Sequence, residues 1–213
     1  MMRPKKNELT AVFLSLCSII PGAAVYGRLP ARIATNWGID GTPNSFSPKA
    51  FVVFAMPLIY TATVLLCCLY VRRLEAKDRA GKLGDMIPVM FPVLFISMHG
   101  MILLAALGKL TDIPTAACLL SSAMMIVLGN YMPKVRKNWI IGIRTPHIIA
   151  DEEVWHKTHR LAGVTLTLGG AAGTVISLFS HPLVTLAVIM IAVFIPMIYG
   201  EAMYFRSKGR KDS

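Results

Sequence analysis

Six apolar runs constrain this chain more than any motif in it: Leu9 to Gly27, Phe51 to Val71, Met86 to Gly108, Ile113 to Met132, Leu161 to Phe179 and Leu183 to Phe205. Each is 19 to 23 residues long, enough for an α-helix to cross the roughly 30 Å hydrocarbon core of a bilayer. None of the 22 Lys and Arg residues lies inside a run. A bilayer enforces that sorting, because a Lys or Arg at a helix centre costs about 2.5 to 3.5 kcal/mol to insert. The expectation is an all-α, multi-pass cell-membrane protein with six transmembrane helices.

Composition excludes the main alternatives. Hydrophobic residues make up 55%, charged residues 15%, and the mean hydropathy is +0.60, which is too apolar for an ordinary soluble enzyme or a disordered chain. The runs occupy 125 of 213 residues, and the longest connection, Pro133 to Arg160, has only 28. No connection is long enough to fold alone, so function falls to the bundle and its loops. The natural division is a first helical hairpin, 1–71, with an outside loop at 28–50, and a four-helix region, 86–213, with a cytoplasmic loop at 133–160.

A net charge of +11 would suggest nucleic acid in a soluble chain. Here, with the N-terminus inside, 18 of the 22 cations fall on the cytoplasmic side, and only Arg28, Arg32, Lys49 and Lys109 lie outside. The positive-inside rule therefore puts both termini in the cytoplasm. The basicity reads as topology and as attraction to anionic membrane lipids, with no direct nucleic-acid contact.

The first run begins like a signal peptide, but at 19 residues it outlasts a typical apolar signal region and reads as an uncleaved helix. Cys17, Cys67, Cys68 and Cys118 all lie within runs and lack metal-site spacing. Pro21, Pro57, Pro88, Pro92 and Pro196 should kink or open their helices. Two polar residues interrupt the apolar pattern. Glu201, the only carboxylate inside a run, lies near a cytoplasmic end beside Arg206, suited either to interfacial pairing or to a proton relay. His99 is deeper, suited either to an interhelical hydrogen bond or to a ligand.

Two loops carry most of the remaining information. In the outside loop, Pro30, Gly38, Gly41, Pro43 and Pro48 fix turns around Asn36 and Trp37. Trp37 fits an interfacial anchor or a ligand-contacting lid. In the cytoplasmic loop, Asp151 suits a helix N-cap, with Glu152 and Glu153 at the positive end of the helix dipole. That helix should run into the fifth span with Trp155, His159 and Ala162 on one face. Arg144-Thr145-Pro146 offers a planar cation on a stiff turn. His147, His156 and His159 lack zinc spacing, and no Ser has the surroundings of a catalytic nucleophile. The sequence therefore predicts no enzyme, metal or cofactor.

Three segments, Gly129-Asn130-Tyr131-Met132-Pro133-Lys134, Asn138 to Pro146 and Glu153 to Gly163, form a long composite pattern. Together they resemble the SdpI immunity-protein family of six-span bacterial membrane proteins. Leu29-Pro30, Thr35-Asn36-Trp37, Gly41-Thr42-Pro43-Asn44 and Lys49 resemble the small N-terminal domain of unknown function often joined to it. Asn36 stands where that pattern often has His, Asn44 where it often has Asp, and His147 where Trp is common.

The resemblance implies protection from a secreted peptide toxin. It also implies signalling, in which toxin met outside lets the cytoplasmic face capture a small winged-helix transcriptional repressor. It points to Asn138, Trp139, Gly142, Arg144, Thr145, Pro146, Trp155, His159 and Arg160 as the partner-binding set. Pro30, Asn36, Trp37, Gly41 and Pro43 become the toxin-binding set. Two other classes stand beside it: a small transporter or flippase using His99 and Glu201, and a membrane enzyme using His147, His156 and His159 with a metal.

Overall fold

The computed structural model describes residues 6–75, 83–138 and 142–209. Among the described residues, six helices are long and apolar enough to cross a membrane: Lys6–Ala24, Phe51–Arg73, Pro88–Ala106, Ile113–Lys134, Glu152–Phe179 and Pro182–Lys208. They coincide with the six apolar runs to within a few residues, except that the fifth begins nine residues before Leu161. The expected extension of that helix through the Asp151 cap accounts for the difference.

The chain divides into two compact units. The first contains α1 (Lys6–Cys17), α2 (Ile19–Ala24), β1 (Arg32–Trp37), β2 (Pro43–Pro48), α3 (Met56–Glu75) and α4 (Leu83–Ala106). Pro21 cannot donate to the carbonyl four residues before it, and the first span breaks at Ser18, between α1 and α2. At the break the Ser15 carbonyl accepts from both the Ser18 hydroxyl at 2.6 Å and the Ser18 amide at 3.3 Å, so it does not depend on a partner from lipid. Phe51–Ala55 forms a π-helical turn leading into α3, with Pro57 just inside that helix. Pro88, Pro92 and Pro196 lie inside helices.

Ala11, Val64 and Cys68 join α1 to α3, and Phe91 and Phe95 of α4 pack against them. At the same end, Glu8 accepts from Arg72 Nε at 2.7 Å and also from its Nη2. Glu8 is only 3% exposed. The first span therefore carries a carboxylate that a boundary at Leu9 leaves out, and Glu201 is not alone among intramembrane acids.

The connection between α2 and α3 adds an antiparallel β-hairpin to an otherwise helical architecture. Its register runs from Arg32 opposite Pro48 to Trp37 opposite Pro43, with irregularities around Asn36. Asp40 Oδ1 accepts from the Thr42 hydroxyl at 2.7 Å and from its amide at 3.1 Å, closing the turn. Those bonds hold the Asp40 carboxyl below its usual pKa. Gly41 supplies the left-handed backbone at φ 80°. Beneath the hairpin, Leu29 and Ile33 pack with Val52, Val53, Ile102 and Leu103, and Trp37 rests against this core.

The second unit contains most of α5 (Ile113–Tyr131), then α6 (Pro146–Ala150), α7 (Glu152–Phe179) and α8 (Pro182–Gly209). Small residues let its helices approach closely, as is common within membranes. A Cβ at Gly170 would lie 2.6 Å from the Ser122 carbonyl, and one at Gly163 would lie 2.5 Å from Pro133 Cγ. The Gly163 contact sets the start of the loop against α7.

Candidate functional site

The segment from Met132 to α7 is held by its own polar side chains. Asp151 Oδ1 accepts from the amides of Glu153 at 2.8 Å and Val154 at 3.1 Å, which is the N-cap its sequence context predicts. Thr145 does the same for the short α6, accepting from Ile148 N at 3.2 Å, with Pro146 at the first helical position. Two caps in seven residues turn the chain sharply onto α7.

Trp155 and His159 lie beneath this turn. The indole N–H of Trp155 donates to the Val135 carbonyl at 3.0 Å. Nε2 of His159 accepts from Ile143 N at 3.2 Å, so Nδ1 carries the proton and donates to the Trp155 carbonyl at 2.9 Å. The two rings stack at 3.9 Å. With exposures of 0% and 1%, they fasten the loop from below at Val135 and Ile143 and present no outward face. Gly142 completes the arrangement with φ 114°, and a Cβ there would run into His159 Nε2. Asn138 is also buried, donating to the Arg136 carbonyl at 2.8 Å.

Arg144 and Arg160 are exposed. Arg144 borders a groove of about 480 Å³ with Gly142, Ile143, Thr145, Ile149, Val193 and Met197. A cation above an apolar floor suits an acidic, amphipathic partner. Trp139 lies outside the described residues.

Glu201 meets His147 rather than Arg206 in the described contacts. His147 Nδ1 lies 2.7 Å from Glu201 Oε2, while its ring stacks on Tyr204 at 4.7 Å and meets the edge of Phe205 at 4.9 Å. His147 thus combines an aromatic packing role with a bond to a carboxylate. His156 lies 3.8 Å from Glu152 and His159 is engaged by backbone, so the three histidines face separate partners.

In the first unit, Pro30, Asn36 and Pro43 are exposed on or beside the hairpin, Trp37 is half-buried, and Gly41 forms the tip. His99 is buried within α4. Sequence reasoning missed the Glu8–Arg72 pair. Its available signal was an acid one residue before an apolar run and a cation one residue after another.

Comparison with known proteins follows the same two regions. A family model described as the SdpI/YfhL protein family matches residues 134–200, and one described as a domain of unknown function, DUF1648, matches residues 13–61. The chain is 25% identical to "Immunity protein SdpI" of Bacillus subtilis (strain 168) over 210 aligned residues, covering 94% of this chain and 95% of that protein. No solved structure matches. These matches bear out the family resemblance carried by the two loops, and with the six helices they identify a multi-pass cell-membrane protein.

Proposed function

From its resemblance to the SdpI family, we propose that this chain protects the cell carrying it against a secreted peptide toxin. The single supporting observation is the near full-length similarity to an immunity protein. The hairpin is the outside recognition element: its tip and Asn36 face solvent, while Trp37 holds it on the membrane-side core. Both termini and the Arg144 loop are cytoplasmic, in keeping with the distribution of cations. The role is binding rather than catalysis.

Arg144 and Arg160 form the exposed contact surface for a soluble partner, a small winged-helix repressor. Trp155, His159, Asn138 and Gly142 act as positioning residues, holding the loop that presents Arg144. Thr145 and Pro146 fix its turn.

The test is survival of a toxin-sensitive bacterium expressing the full chain under challenge with secreted peptide toxins of the kind met by SdpI proteins. Protection is expected for the native protein, and Arg144→Ala should retain it while losing membrane recruitment of the repressor. No protection at native membrane abundance would overturn the immunity reading.

A further inference from the structure

The first unit holds a cavity of about 260 Å³ that neither loop uses. For scale, an apolar cavity of roughly 150 Å³ accommodates benzene. Its walls include Val25, Leu103 and Leu107, which also belong to or pack on the core below the hairpin. The exposed side chains of Ile96 and Leu104 border it, so an approach from surrounding lipid crosses only apolar surface.

One strongly polar side chain borders this apolar space, its ring nitrogens just beneath the lining. His99 lines the cavity, is 1% exposed, and neither ring nitrogen has a hydrogen-bond partner among the described residues. A buried polar group without a partner costs about 1 to 3 kcal/mol, so an occupant that supplies a partner is favoured. Neutral imidazole donates at one nitrogen and accepts at the other, which matches a hydroxyl in either sense. Ser18 adds a second oxygen at the rim, its proton already committed to the Ser15 carbonyl.

We infer that this cavity is a binding site for a small lipid-soluble molecule with an aliphatic body and one hydrogen-bonding group, typified by a medium-chain alcohol, with His99 recognising that group. Size excludes a whole phospholipid. The nearly apolar lining excludes a charged solute, whose desolvation nothing here offsets. Neither Arg144 nor the hairpin tip is among its lining residues, so it stands or falls independently of the immunity reading.

Gly100 provides a clean way to close the cavity. It lines the space, and a Cβ placed there meets nothing within 4 Å. Gly100→Leu should therefore fill the site without displacing backbone.

The experiment uses the full chain in phospholipid nanodiscs, photolabelled with 1-decanol carrying a chain diazirine and, in parallel, with the corresponding diazirine alkane. Labelled residues are located by mass spectrometry. The alcohol should concentrate on Val25, Leu103 and Leu107, be competed by plain 1-decanol, and lose that labelling in Gly100→Leu. His99→Leu should lower alcohol labelling about three- to tenfold, the equivalent of one hydrogen bond, and leave alkane labelling unchanged. Equal labelling by alcohol and alkane in the native protein would identify an acyl-chain crevice without polar recognition and overturn the inference. Undiminished labelling in Gly100→Leu, or labelling spread evenly over the lipid-facing residues, would overturn it as well.

Discussion

The indole N–H of Trp155 donates to the carbonyl of Val135 at 3.0 Å, across twenty residues of chain. The bond ties the entry of the loop to the first turns of α7, while His159 ties its exit. Arg144 is presented outward because aromatic residues are buried inward, and the two groups should respond differently to substitution.

Trp155→Phe keeps an aromatic ring over His159 but strands the Val135 carbonyl. Leaving a buried acceptor unpaired costs about 1 to 3 kcal/mol, so thermal unfolding in detergent should shift downward. Arg144→Ala should weaken repressor recruitment about ten- to hundredfold, the loss of one charge-assisted bond. Arg144→Lys should rescue only part, since an ammonium lacks the planar fork. Co-sedimentation of repressor with membranes measures recruitment; an unchanged Arg144→Ala would remove that residue from the interface.

Gly142→Ala should loosen the loop. It places a methyl group at φ 114° and drives it into His159 Nε2; backbone strain of this kind alone costs about 1 to 3 kcal/mol. Limited trypsin digestion should cut faster at Arg136, Lys137 and Arg144. Native-like digestion would mean that the backbone at 142 relaxes without consequence.

Glu8 and Arg72 form a pair whose partial removal should be worse than its complete removal. Glu8→Ala takes the buried carboxylate away from Arg72, and breaking a buried pair on one side typically costs about 3 to 5 kcal/mol. Glu8→Ala combined with Arg72→Met should recover a large part of that loss. Urea or thermal unfolding of all three variants in one detergent gives the comparison, and additive losses would show that the two charges do not depend on each other.

The Asp40 turn should weaken only in acid. Its carboxyl pKa is depressed by the Thr42 bonds, so the stabilising contribution is complete above the unfolded carboxylate pKa. It declines as pH falls through the lower folded value. The Thr42 amide resonance should hold steady through neutral pH and move below about 3.8, the ordinary value for this carboxyl. Movement near neutrality would point to another titrating group. Asp40→Asn should remove the acid transition, because its amide oxygen accepts without titrating.

Much of this protein was legible because a bilayer judges sequence locally. Each apolar run becomes a helix, since lipid offers no partner for a peptide group and the helix satisfies its own; the six runs therefore appeared in the structure nearly where they were read. Asp151 and Thr145 were similarly bound to act within a few residues of themselves, and the Asp151 cap was read from the acids that follow it. Tertiary structure decided which polar groups meet across the chain: Glu8 with Arg72, 64 residues apart, and His147 with Glu201, 54 apart. Folding also turned Trp155 and His159 inward. Helical spacing puts them on one face, but only the returning loop determines whether that face is bare or covered. The hairpin escaped for a related reason. Its strands are short and mostly polar, and they are held by a core whose Val52, Val53, Ile102 and Leu103 come from later helical segments. Periodicity within residues 32–48 carries no trace of that support, because the energy that fixes the hairpin comes from burial against distant chain.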